Sequence, residues 1–210
     1  MGQMAHMPLT DAKQTDALVA KLAAREANIN LPNLLTFSRL LLIPIFVLLF
    51  SQPTPDRSMA AAAVFGIAAI TDLLDGYLAR RRSEVTRLGR LLDPIADKLL
   101  VLSGVILLVG FQRVSAVVAI LMIGREVAVT GVRAIAAAEG IVLSAETTGK
   151  YKMTAQVLAI LFLITAESVD PTWNFSTIGN VLLYSALMLG LISGTQYLVT
   201  FWREISLKGL

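Results

Sequence analysis

Six long apolar runs separated by short polar breaks dominate this chain, at about 34–51, 58–80, 91–110, 114–138, 151–168 and 178–200. Each approaches the roughly 20 residues that a helix needs to cross about 30 Å of hydrocarbon. The pattern predicts an all-α, polytopic membrane protein with six transmembrane helices. The breaks carry turn-forming residues: Pro53, Pro55 and Asp56 after the first run, Gly110 to Arg113 after the third, Asp170 and Pro171 after the fifth. Ahead of the first run, residues 9–27 place Leu18, Val19 and Leu22 near one face and Lys13, Lys21 and Arg25 on others. This predicts an amphipathic juxtamembrane helix on the inner leaflet, N-capped by Thr10 or Asp11, with a polar tail as the plainer alternative. The stretch lacks the apolar core and cleavage site of a secretory signal, so the first span is expected to be retained. The expected division is a cytoplasmic tail over 1–30 and a six-helix membrane domain over 31–205.

Composition supports the membrane reading. Over 210 residues the chain is 56% hydrophobic and 16% charged, with a mean hydropathy of +0.71, more apolar than one soluble core would hold. Cysteine is absent, which removes disulfides and thiol chemistry from consideration. One set of loops and ends collects Lys13, Lys21, Arg25, Arg80, Arg81, Arg82, Arg87, Arg90, Lys150, Lys152, Arg203 and Lys208, while the other has little beyond Arg57 and Arg113. Positive charge stays inside, so both termini are expected in the cytoplasm. Arg81 and Arg82 read most simply as topology determinants that attract anionic lipid. Trp173, Tyr197 and Trp202 fall near span ends and read as interfacial anchors. Pro44 and Pro94 are expected to bend or start helices, and no metal role is expected for His6.

The charges inside the apolar runs carry the chemistry. Asp72 and Asp75 lie three apart, Asp93 and Asp97 four apart, each pair joined to a long apolar segment. A carboxylate at membrane depth costs about 2.5–3.5 kcal/mol even on lenient scales, so four together require a cation, water or substrate. On a helix Asp72, Asp75, Gly76 and Ala79 share one face, as do Gly89, Asp93 and Asp97 on the next. Carboxylates without histidine or cysteine suit Mg²⁺ or Mn²⁺ rather than zinc. Four of them can hold two ions about 3.5–4 Å apart, the arrangement used in phosphoryl displacement. The flanking glycines let a phosphate or sugar approach the backbone.

The spacing D-x2-D-G-x2-A-R-x8-G-x3-D-x3-D is met in full by Asp72, Asp75, Gly76, Ala79, Arg80, Gly89, Asp93 and Asp97. In this the chain resembles the CDP-alcohol phosphotransferases, membrane enzymes that join an alcohol to the phosphatidyl group of a CDP-linked lipid and release CMP. NLPNLLTFSRLLLIPIF at 30–46, GREVAVTGVRAIAAAEG at 124–140 and GKYKMTAQVLAI at 149–160 are similar to segments of the bacterial phosphatidylglycerophosphate synthases. That resemblance implies CDP-diacylglycerol and sn-glycerol 3-phosphate as substrates, phosphatidylglycerol phosphate and CMP as products, and two divalent cations, Mg²⁺ or Mn²⁺. It implies metal binding by Asp72, Asp75, Asp93 and Asp97, and nucleotide contacts from Asn33, Thr36, Gly76, Arg80, Thr86 and Gly89. Asp97 would act as base on the glycerol hydroxyl or only hold a metal and orient that hydroxyl, since a metal-bound carboxylate accepts a proton poorly.

The acceptor needs a phosphate clamp, and the basic residues at hand are Arg125, Arg133, Lys150 and Lys152. Arg125 sits beside Glu126 inside an apolar run, where a buried cation faces either a partner or a polar cavity. The alternative is that Arg125 only ties helices together. The family resemblance further implies a homodimer in a bacterial cytoplasmic membrane, with surrounding lipid but no nucleic acid as partner, and the charge distribution puts the site on the cytoplasmic side. Ala134 and Ala136 to Ala138 allow close helix packing, within or between subunits. Other readings are a related enzyme using inositol phosphate, serine or phosphatidylglycerol, a cation transporter with an acidic intramembrane site, and a non-catalytic lipid-binding scaffold.

Overall fold

The structure, a computed structural model, describes residues 31–82, 87–141 and 148–208, with side chains over 34–72, 92, 95–141 and 151–206. The amphipathic helix expected over 9–27 lies outside the described residues. Among those described, the chain is all-helical: α1 Leu31–Phe50, α2 Pro55–Arg82, α3 Arg87–Gly110, α4 Ala116–Ala138, α5 Thr148–Thr165 and α6 Phe175–Lys208, with a 3₁₀ turn at Pro171–Trp173 before α6.

Each apolar run corresponds to one helix, and the differences lie at the ends. Helix α2 starts at Pro55, because proline at a first helical position loses no hydrogen bond. Helix α6 continues to Lys208, since Phe201 to Lys208 contains neither glycine nor proline to stop it. Its 34 residues reach about 51 Å at 1.5 Å per residue, longer than the roughly 30 Å of a bilayer's hydrocarbon. Helix α4 ends in a Schellman turn, Ile141 N–H donating to the Ala136 carbonyl at 2.8 Å, with Gly140 at φ 65°. Helix α3 ends in the same way at Arg113, whose N–H donates to the Leu108 carbonyl, but Gln112 takes the left-handed position at φ 58°.

Only the helical stretch Pro171–Ser206 is, among the described residues, both long and apolar enough to cross a bilayer by composition; Leu34–Phe50 and Tyr151–Thr165 are apolar but shorter. Helices α2, α3 and α4 miss that mark because acidic and basic residues interrupt them. Large apolar side chains cover the exterior nonetheless, among them Leu41, Leu48, Ile120, Val127 and Val199. A surface of this kind suits lipid rather than water.

Helices α1 and α2 pack antiparallel, as do α5 and α6, and α2 lies against α5 while α4 lies against α6. Both α2 and α4 touch α3 only lightly. The core sits towards the α1–α2 turn, where Phe46, Phe50 and Phe65 are fully buried. Phe46 stacks on Phe50 at 5.9 Å and meets Phe65 at 5.3 Å, and Phe111 meets Phe50 edge-on at 5.3 Å. A Cβ on Gly104 would lie 3.0 Å from Ile160 and 3.2 Å from Phe65, so α3 approaches α5 and α2 closely there.

Candidate active site

The light contact between α3 and α4 leaves a cavity of about 650 Å³ between them, floored by α5 and α6. Five of the sequence-derived candidates line it: Asp72 from α2, Asp97 from α3, Arg125 and Arg133 from α4, and Lys152 from α5. Residues 72 to 197 in sequence meet here because α2 and α3 are consecutive antiparallel helices and α5 and α6 close the opposite side. Val101, Leu102, Val105 and Met122 supply an apolar wall. The cavity is therefore amphiphilic, with charge and hydrocarbon surfaces side by side.

Asp72 pairs with Arg39, whose Nη1 lies 2.7 Å from its Oδ1. Arg39 is fully buried on α1, and Asp72 is one-fifth exposed towards the cavity. Burying a guanidinium is costly unless it is paired, so Arg39 and Asp72 neutralise each other across the α1–α2 packing. Thr36, one turn before Arg39, is also buried and does not line the cavity.

The basic wall is a connected network. Glu126 Oε2 accepts from Arg125 Nη1 at 2.9 Å and from Lys152 Nζ at 2.7 Å, joining α4 to α5. Arg125 also donates from Nε to the Gly190 carbonyl at 2.7 Å and from Nη2 to Ser193 Oγ at 2.6 Å, joining α4 to α6. The helix-tying alternative for Arg125 is thus present in the geometry, together with its place on the cavity wall. Arg133 stands over the Tyr197 ring at 5.3 Å, a cation–π arrangement. Opposite them, Lys98 Nζ donates to Thr130 Oγ1 at 2.6 Å, bridging α3 and α4 at the cavity.

Asp75, Gly76 and Arg80 lie further along α2, Gly89 and Asp93 along α3, Asn33 in the first turn of α1, and Lys150 in the first turn of α5; their side chains lie outside the described set. Thr86 lies outside the described residues altogether. Asp72 and Asp97 offer oxygen donors to one cavity, the donor chemistry that Mg²⁺ or Mn²⁺ takes. Asp75 follows Asp72 by three residues and Asp93 precedes Asp97 by four, so the helical backbone keeps each pair on one face.

Several cavity residues were not among the sequence candidates: Lys98, Glu126, Thr130, Gly190, Ser193 and Tyr197, with Arg39 just behind them. Arg39 and Glu126 carried a usable signal, since each is a lone charge type within an apolar run. Tyr197 is corrected from the interfacial role. It is buried on the cavity floor, because α6 runs on for eleven residues beyond it to Lys208. Trp173 and Trp202 remain exposed near helix ends.

Residues 29–192 match the family model of the CDP-alcohol phosphatidyltransferases. The chain is 37% identical over 188 residues to a CDP-diacylglycerol–glycerol-3-phosphate 3-phosphatidyltransferase of Bacillus subtilis (strain 168), covering 84% of this chain and 97% of the relative. It is 40% identical over 186 residues to one so named from Pseudomonas fluorescens, covering 86% and 94%. A third, from Rickettsia bellii (strain RML369-C), is 36% identical over 168 residues, covering 80% and 93%. With Asp72 and Asp97 lining one amphiphilic cavity and a match over most of its length, the chain belongs to the CDP-alcohol phosphatidyltransferase family.

Proposed function

We propose that the protein transfers the phosphatidyl group of CDP-diacylglycerol to sn-glycerol 3-phosphate, giving phosphatidylglycerol phosphate and CMP in phosphatidylglycerol and cardiolipin synthesis. The observation that carries this is the division of one cavity into an acidic end with Asp72 and Asp97, a cationic wall with Arg125, Arg133 and Lys152, and an apolar wall on α3 and α4. A lipid diphosphate and a small phosphorylated alcohol need those three surfaces together. The relatives' names, which specify these two substrates, support the same reading.

In this reading Asp72, Asp75, Asp93 and Asp97 hold two divalent cations, Mg²⁺ or Mn²⁺. Bound there, the ions supply charge neutralisation for the diphosphate and for the departing CMP. Asn33, Gly76, Arg80, Thr86 and Gly89 contact the nucleotide, and Thr36, whose side chain is buried, supports that site through the packing of α1. Arg125, Arg133, Lys150 and Lys152 hold the acceptor phosphate, and Asp97 orients the acceptor hydroxyl. That hydroxyl oxygen bonds to the phosphatidyl phosphorus as the bond from phosphorus to the CMP oxygen breaks, and the hydroxyl proton leaves on the Asp97 side. Most of the rate then comes from positioning and electrostatic preorganisation.

The six helices cross a bacterial cytoplasmic membrane with both termini and the cavity's charged end on the cytoplasmic side, and the protein works as a homodimer. The Lys and Arg distribution supports the orientation, and the apolar exterior supports the crossing. The test is purified protein in detergent with CDP-diacylglycerol, Mg²⁺ and a panel of glycerol 3-phosphate, inositol phosphate, serine and phosphatidylglycerol. CMP release with glycerol 3-phosphate strongly preferred is expected. No CMP with any acceptor, or preference for another one, overturns the assignment.

A further inference from the structure

We infer that one face of α6, made by Gly190, Ser193, Gly194 and Tyr197, is a seat that positions Arg125 and Arg133 for the acceptor's phosphate; the inference rests on the proposed acceptor site. These residues recur at i, i+3, i+4 and i+7, one face of a helix. Gly190 gives its carbonyl to Arg125 Nε at 2.7 Å, and Ser193, fully buried, accepts from Nη2 at 2.6 Å. A Cβ on Gly194 would stand 3.3 Å from both Cγ and Nε of Arg125, and one on Gly190 would stand 3.3 Å from Lys152 Cδ. In a membrane helix a G-x3-G pair ordinarily lets a second backbone approach. Here the space is filled by the side chains of Arg125 and Lys152.

The consequence for ligand binding follows from counting donors. A guanidinium has five N–H groups and no acceptor. Among the described residues, α6 takes the Nε proton and one on Nη2, and Glu126 takes one on Nη1. One N–H then remains on each terminal nitrogen of a guanidinium that lines the cavity, a pair suited to two phosphate oxygens. One turn beyond Gly194, Tyr197 carries Arg133 at 5.3 Å. Because the seat fixes these long side chains before any ligand arrives, their rotamer freedom is not lost on binding. A neutral alcohol has no use for the arrangement, so the seat is also a specificity element for a phosphorylated acceptor.

A seat that merely ties α4 to α6 would affect stability alone, and Gly194→Ala separates the two roles. Alanine favours a helix more than glycine, so α6 keeps its stability while the added Cβ, 3.3 Å from Arg125 Cγ and Nε, makes that side chain shift by a few tenths of an ångström. Ser193→Ala removes one donor partner without adding volume, and Ser193→Thr restores the hydroxyl. The readout is the thermal midpoint of full-length protein in detergent titrated with sn-glycerol 3-phosphate, alongside the KM values for both substrates in CMP release.

In Gly194→Ala and Ser193→Ala, half-maximal protection and the acceptor KM should rise about tenfold. The CDP-diacylglycerol KM should stay within about twofold, the ligand-free midpoint of Gly194→Ala should not fall, and Ser193→Thr should recover acceptor affinity. Unchanged acceptor affinity in both alanine variants, or an equal rise in both KM values, overturns the seat. A wild type protected by glycerol 3-phosphate in the manner the variants lose, yet releasing no CMP with it, overturns the proposed reaction and leaves the seat standing. A wild type protected by neither glycerol 3-phosphate nor inorganic phosphate overturns both.

Discussion

The two ends of the helix bundle are made from the same helices, yet their buried faces carry opposite chemistry. Along α1 the buried face passes from Thr36 and Arg39 at one end to Phe46 and Phe50 at the other, and along the antiparallel α2 from Phe65 to Asp72. At the aromatic end Phe46, Phe50, Phe65 and Phe111 pack ring against ring. The charged end opens between α3 and α4 into the cavity that holds Asp72, Asp97, Arg125, Arg133 and Lys152.

Each end has a largely buried arginine that bonds across helices, Arg113 at one and Arg125 at the other, and their partners show what the difference means. Arg113, at the aromatic end, donates from Nη1 to the Leu163 and Ile164 carbonyls at 2.9 Å each, pairs through Nη2 with Glu167 and stands over Phe50 at 5.4 Å. It satisfies the last carbonyls of α5, which have no partner within their own helix. Arg125 is equally well bonded, but its partners leave it on a cavity wall facing two carboxylates from other helices. A buried cation whose surroundings end in protein is packing; one whose surroundings end in a cavity is available to a ligand.

The largest effect that would test this contrast is Asp97→Asn at the charged end. CMP release should fall by about three to four orders of magnitude, with the thermal midpoint unchanged or higher because a buried charge is removed. Retained turnover would remove Asp97 from the site. At the aromatic end Phe65→Ala should cost about 2–3 kcal/mol of stability, with unchanged KM values. The cost falls below the 3–5 kcal/mol of soluble cores because lipid is as apolar as the protein interior, leaving chiefly the packing loss. An unfolding midpoint equal to wild type would show that the aromatic cluster is not the core.

The arginines give a direct pair. Arg113→Ala should lower stability by about 2 kcal/mol and leave both KM values alone. Arg125→Ala should raise the acceptor KM about 10–30-fold and the CDP-diacylglycerol KM little. Matching effects on both variants would erase the distinction between the ends. The smallest effect concerns Asp170, whose Oδ1 accepts from the Thr172 backbone N–H at 2.9 Å and from its hydroxyl at 2.8 Å. Those bonds, the backbone one foremost, hold its carboxyl below the ordinary carboxylate value. A lowered folded value means stability that is present above about pH 4 and lost as pH falls through the folded value. A slight acid-side drop in midpoint, absent in Asp170→Asn, is expected, with no change in acceptor KM at neutral pH.

The helices were legible because apolar runs of spanning length have one common solution in lipid. Their ends were less so, since α6 continues through Trp202 and Arg203 where a change in hydropathy suggests a stop. The aspartates announced themselves through cost and spacing, and Arg125 and Arg133 through charge within an apolar run. Arg39 carried the same signal within 34–51 and still escaped the candidate set, because its partner Asp72 lies on a different helix. Gly190, Ser193 and Gly194 could not have been found from sequence. Small residues are ordinary in a membrane helix, and only the packing of α4 on α6 shows what they seat.

In the proposed reaction the cationic wall of the cavity selects a phosphorylated acceptor. The most direct measurement is the ratio of kcat/KM for sn-glycerol 3-phosphate to that for glycerol, in the wild type and in Arg125→Ala. A wild-type ratio of about 10³ or more is expected, falling at least about tenfold in the variant. A wild-type ratio near one, or one that Arg125→Ala leaves unchanged, would contradict it.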